Sequence, residues 1–122
     1  MEIRQRDEIT ILSPQGTELG TEEAEEFRST ALNAIPPVGG CVAIDMSSVI
    51  FMDSSGLSAL IAVMKRARAG GGELVLFGVR PAVREILNLT RLDGIFSTCS
   101  SEEEAVALFR RADHQEEQRR CG

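Results

Sequence analysis

Apolar residues recur along this chain at two spacings, and each change of spacing marks a boundary. Residues 8–13 carry Ile9, Ile11 and Leu12 in a short run that reads as a strand. Residues 1–6 alternate briefly and form a candidate second strand. Pro14, Gly16 and Gly20 make the next stretch a loop. Thr21 is placed to cap a helix, and Glu22 and Glu23 suit its first turn. Ala24, Phe27, Ala31 and Ile35 then fall on one helical stripe, which Pro36, Pro37, Gly39 and Gly40 end. The apolar run at 41–46, CVAIDM, reads as a central strand, and Val49, Ile50 and Phe51 carry the apolar signal onward.

A second helix is expected from about Ser54 to Arg68. Leu57, Leu60, Ile61 and Met64 give it a buried face at i, i+3, i+4 and i+7. Gly70, Gly71 and Gly72 stop it, and ELVLFG at 73–78 is the next strand. Strand, helix and strand in this order predict a right-handed βαβ unit with parallel pairing. Pro81 opens a third helix, with Val83, Ile86, Leu87 and Thr90 along its inner side. Residues 95–98 read as a short edge strand. Ser101 and Glu104 spell a capping box for a last helix, whose apolar contacts are Ala105, Val106, Leu108 and Phe109. From Arg110 the sequence turns polar, so 111–122 is expected to be a frayed helix end or a disordered tail on a domain of residues 1–110. The whole predicts one α/β domain, a four- to five-stranded mixed sheet packed with about four helices.

Composition narrows the function. A chain of 122 residues suits one domain with its own core, built on aliphatic side chains because there are five Phe and no Trp or Tyr. The formal net charge of −6 gives no electrostatic reason to hold a nucleic-acid backbone. No apolar run approaches the ~20 residues of a membrane span. The N-terminal MEIRQRDEIT lacks the apolar stretch of a signal peptide. A cytoplasmic protein without a membrane span is therefore expected. Cys41, Cys99 and Cys121 have no ligand or redox spacing, so no metal and no cofactor is expected. The first two read as small buried hydrophobes and Cys121 as an exposed thiol in the tail.

The candidate chemistry lies in FMDSSGLSAL, residues 51–60, where a strand gives way to a helix. Ser54 and Ser55 put two hydroxyls at a helix start, where unpaired N–H groups and the helix dipole favour negative charge. A phosphate there is expected to be accommodated locally and to change the surface seen by a partner. Asp53 reads equally as the N-cap or as part of a recognition surface. Gly56 permits close approach of a partner or of a neighbouring strand, or is simply tolerated in the first turn. Asp45 is expected to turn the loop that follows it, and Met52 and Met64 to pack. Lys65, Arg66 and Arg68 read as a solvated helix face.

Catalytic readings find no support in the motifs, and no catalytic residue is assigned. Gly-x-Ser-x-Gly is absent and the single histidine, His114, lies in the tail, so a serine hydrolase lacks its base. Gly70-Gly71-Gly72 follows a helix and precedes a strand, the wrong order for cradling phosphates. Ile11-Leu12-Ser13-Pro14 offers no acidic pair for a phosphoaspartate receiver. Small-ligand sensing is a further class that leaves no mark in sequence.

Ile50-Phe51-Met52-Asp53-Ser54-Ser55-Gly56-Leu57, preceded by Val42-Ala43-Ile44-Asp45-Met46 and followed by Gly71-Gly72-Glu73-Leu74-Val75-Leu76 and Pro81-Ala82-Val83, resembles the STAS domain family of bacterial anti-sigma factor antagonists. The resemblance spans about residues 8–109 and implies a STAS-like fold and a binding protein, not an enzyme. It implies regulatory phosphorylation at Ser54, with Ser55 as the second candidate, and a partner surface of Asp53, Ser54, Ser55, Gly56 and Leu57. The implied partners are an anti-sigma factor that is also a serine-protein kinase, and a metal-dependent serine phosphatase. The unphosphorylated form would bind the kinase and release a sigma factor. The homodimeric state stays open. Family members often carry an acid in the loop before the first helix, and Gly20 takes its place here, with Glu18 and Glu22 nearby. The second reading is a STAS adaptor in a signalling or transport complex, without a phosphoryl switch.

Overall fold

The computed structural model describes residues 1–115. Its elements are β1 (Glu2–Arg6), β2 (Ile9–Ser13), β3 (Glu18–Leu19), α1 (Thr21–Ala34), β4 (Cys41–Asp45), β5 (Phe51–Met52), α2 (Ser54–Ala69), β6 (Leu74–Phe77), α3 (Pro81–Leu89), β7 (Ser97–Cys99) and α4 (Glu102–Gln115). Five strands form one sheet in the order β1-β2-β4-β6-β7. β1 and β2 are antiparallel, and every other pair in that sheet is parallel. This is the mixed sheet with four helices that the sequence predicts. The candidate strand at 1–6 is real, and the strand near 95–98 lies at the edge as expected.

The continuous apolar runs of β2, β4 and β6 exist because both faces of these strands are covered. Leu12, Val42, Ile44, Leu74 and Leu76 face the core shared with α1, α2 and α3. Ile9, Ile11, Cys41, Ala43, Val75 and Phe77 face the other way, against Ala105, Val106 and Phe109 of α4. Among the described residues, α4 is the helix that covers this face. Its start is capped by Ser101, whose Oγ accepts the Glu104 N–H at 3.2 Å. Glu104 reaches back to the Ser100 N–H at 2.8 Å, one residue earlier than a reciprocal box would place it. Arg4 and Arg6 both pair with Glu102, at 2.6 and 2.7 Å, and tie the edge strand to this helix. Arg110 pairs with Asp7 farther along.

Three expectations shift. The buried face of α2 comprises Gly56, Ala59, Leu60, Val63, Met64 and Ala67, while Leu57 and Ile61 pack half-buried on its flank. Small residues let α2 lie close to α1 and the sheet, and they carry little weight in an apolar period. Thr90 is exposed at the end of α3, where its hydroxyl donates to Ile86 O at 2.8 Å rather than lining the inner face. Cys41 is fully buried, but Cys99 is only half-buried. α4 continues to Gln115, past the point where the chain turns polar. Cys121 and the rest of the expected tail beyond 115 lie outside the described residues.

Candidate functional site

A two-residue parallel ladder builds the site. β3 pairs with β5 through Glu18↔Phe51 and Leu19↔Met52. Thr17 O accepts the N–H groups of Ile50 and Phe51 at 2.8 and 3.2 Å and extends the ladder backwards. The next residues, Gly20 and Asp53, are the N-caps of α1 and α2. Two helix N-termini therefore start side by side. The expected cap of α1, Thr21, is instead its first helical residue. Gly20 is the cap, and its N–H donates to Glu23 Oε1 at 3.0 Å.

Thr21 is left to face the other helix. Its hydroxyl donates to Asp53 Oδ2 at 3.2 Å and lies 3.4 Å from Ser55 Oγ. Asp53 Oδ1 accepts the N–H groups of Ser55 and Gly56 at 2.9 and 3.2 Å. Asp53 is thus the N-cap of α2, and one carboxylate joins both helix starts. Nothing in the local sequence pairs Thr21 with Asp53, which stand 32 residues apart. A two-residue strand has no period to read, so this link was not legible.

Ser54 and Ser55 differ in their surroundings. Ser54 is exposed, and among the described residues no hydrogen bond engages its hydroxyl. Ser55 is half-buried and turned to Thr21. Leu57 is half-buried, while Gly56 is buried. A Cβ on Gly56 would stand 2.3 Å from Leu19 O and 2.5 Å from Met52 Cγ. Its hydrogen side chain is what lets α2 begin beneath the β3–β5 ladder. Of the close-approach readings, the neighbouring strand accounts for Gly56.

The N–H groups that a phosphate on Ser54 would seek, those of Ser55 and Gly56, are already held by Asp53. A phosphate there would compete with Asp53 for these two donors. Added charge at Ser54 would stand beside a carboxylate and project outward. Ile50 and Phe51, just before the site, are each 50% exposed and form an apolar pair. They continue the apolar signal of the sequence, but only Phe51 lies in β5, and Ile50 precedes it. Asp45 does turn its loop, with Oδ1 accepting the Ser47 N–H at 3.0 Å. Met52 and Met64 pack in the core. Lys65, Arg66 and Arg68 are exposed, with Arg68 bound to Glu73 at 2.8 Å. Among the described residues no group of three His, Cys, Asp or Glu is placed to hold a metal.

The family model of the STAS domain matches residues 1–105 of the chain. The chain belongs to the STAS domain family. This STAS domain is 35% identical over 106 residues to BtrV of Bordetella bronchiseptica, a protein assigned to the anti-sigma factor antagonists. The match covers 87% of this chain and 90% of the relative. A Thermotoga maritima crystal structure with the same assignment superposes with a TM-score of 0.82 at 25% identity, over 89% of this chain and 93% of that one. An anti-sigma-factor antagonist (STAS) domain protein from Planctomyces limnophilus gives 0.79 at 28% identity, over 88% and 94%.

Proposed function

We propose that this STAS domain is an anti-sigma factor antagonist switched by phosphorylation of Ser54. Unphosphorylated, it binds an anti-sigma factor that is also a serine kinase, and the sigma factor held by that kinase is released in the cytoplasm. The kinase transfers the γ-phosphoryl group of ATP to Ser54 Oγ, leaving ADP and a proton. A metal-dependent phosphatase hydrolyses the ester, releasing inorganic phosphate and restoring the hydroxyl. The domain itself acts by binding, not by catalysis.

The observation that carries this reading is the exposed, uncommitted Ser54 hydroxyl at the first position of α2, beside the exposed apolar pair Ile50 and Phe51. The pair ends three residues before Ser54 in the chain, so a partner that takes it up docks close to the hydroxyl. A phosphate there adds about −1.5 to −2 charges at neutral pH. Asp53 already accepts the N–H groups of Ser55 and Gly56, so these two donors are not free to neutralise that charge within the domain. A loss of about 3 kcal/mol would lower affinity by roughly a hundredfold.

Gly20 favours the adaptor as the second reading. A side chain at this position would begin 3.5 Å from Asp53 Oδ2, so the acid that family members often carry there would join the Asp53 group, and this chain lacks it. The two readings separate on incubation with ATP, Mg²⁺ and each serine kinase of the anti-sigma type encoded in the same genome. Intact mass and peptide mapping should show one phosphate, on Ser54. A chain that no such kinase modifies, yet which still binds one of them, is an adaptor.

A further inference from the structure

A second, unrelated site lies at the C-terminal ends of β4, β6 and β7. A cleft of about 920 Å³ opens there, lined among others by Ser47, Arg80, Arg84, Thr98, Ser100 and Arg111. In parallel α/β sheets this edge is where ligands settle, because loops diverge and helix N-termini point inward. None of the residues 51–57 lines it, so the cleft is separate from the Ser54 surface.

Its charge is at odds with the rest of the chain. The protein carries a formal net charge of −6, yet among the described residues three guanidinium groups line this one cleft against one carboxylate, Glu104. Among the described residues Arg80, Arg84 and Arg111 form no ion pair, as Arg28, Arg66 and Arg91 do not, so all three guanidinium groups of the cleft keep their charge available to a ligand. Glu104 is turned to the loop, where its Oε1 accepts the Ser100 N–H at 2.8 Å, and it leaves the cleft an excess of two positive charges among the described residues. The start of α3 adds a second, independent feature. Its N-cap is Arg80, no side chain caps it, and Pro81 follows, so the N–H groups of Ala82 and Val83 lack a side-chain partner. The turn leading there is built for close approach. Gly78 has φ +69°, and a Cβ on it would stand 3.2 Å from Ser47 Cβ.

We propose that this cleft binds a small organic phosphate, its phosphate held by Arg80, Arg84 and Arg111 and its hydroxyl groups by Ser47, Thr98 and Ser100. Guanidinium forks fit the oxygens of a phosphate, and here three of them border one concave site rather than an open helix face. The hydroxyl side chains supply both donors and acceptors for the uncharged part of the ligand. Cys99 forms part of the wall, and burial pushes its thiol up, so it adds no negative charge near neutral pH.

The proposal is tested by titrating the ¹⁵N-labelled chain with glycerol 3-phosphate, using glycerol and sulfate as controls. Saturable shifts are expected at the amides of Gly78, Val79, Thr98 and Ser100 with glycerol 3-phosphate, and none with glycerol. Arg84→Ala and Arg111→Ala should each weaken binding by about tenfold or more, with unchanged melting temperatures. Arg66→Ala, on a different surface, should leave it intact. Shifts that fail to saturate, that sulfate reproduces in full, or that survive both arginine substitutions would overturn the proposal. A Ser54→Ala chain should bind the probe like the wild type, so the outcome is independent of the phosphorylation reading.

Discussion

Ser54 and Ser55 carry the same hydroxyl on successive residues, and one helical step separates their fates. Ser54 points to solvent, and Ser55 is half-buried against Thr21. A kinase needs an accessible acceptor hydroxyl, so Ser55→Ala should still take one phosphate and Ser54→Ala none, as read by intact mass. Asp53 is the structural member of the run. Asp53→Ala should lower stability by about 1 kcal/mol in urea unfolding, the usual cost of a lost N-cap. Asp53→Asn should retain most of it, because an amide oxygen can still accept the Ser55 N–H. The run Asp53-Ser54-Ser55-Gly56 was legible in sequence because capping is a local matter. The role of Thr21 was not, because it depends on a partner brought in by tertiary structure.

At the scale of elements, the smallest ladder has the largest positional effect. β3 and β5 contribute two residues each, yet they set the two helix starts side by side. Gly56 is the point where this arrangement has no slack. Gly56→Ala should destabilise by about 1–3 kcal/mol, because the added carbon meets a backbone carbonyl that cannot swing aside. Chemical denaturation measures this, and amide shifts at Leu19 and Met52 should move with it. Longer elements were legible where one side chain type repeats. β4 and β6 announce themselves as unbroken apolar runs, and α1 as a stripe ending in Pro36. The face of α2 was misplaced because Gly56, Ala59 and Ala67 bury well but signal weakly.

Across the whole molecule, distant ends of the chain are held together by charge. Arg4 and Arg6 of β1 meet Glu102 of α4, with contacts that span 98 and 96 residues. Hydrogen bonds from Arg4 and Arg6 hold the Glu102 carboxyl below its ordinary range. A carboxylate whose pKa is lowered in the folded state stabilises it above its unfolded pKa, and loses that contribution as pH falls through the folded value. The stability gap between wild type and Glu102→Gln should therefore be open at neutral pH and close as the solution is taken below about pH 4.5, the ordinary value for this group. Thermal melts across that range would show it, and a gap that widens on acidification would contradict the assignment. No single segment encodes such a pair, and the same holds for the arginine-lined cleft, which α3, α4 and the chain after β4, β6 and β7 assemble. The architecture itself was legible, since strand–helix alternation with both sheet faces covered leaves few topologies.

The switch at Ser54 is tested most directly by affinity for the partner kinase. Wild type, Ser54→Ala and Ser54→Asp would be titrated into the same nucleotide-bound anti-sigma kinase by calorimetry. The account predicts that Ser54→Ala binds like the wild type and that Ser54→Asp binds about a hundredfold more weakly or not at all. Equal affinity for all three, with the fold of each intact by circular dichroism, would contradict it.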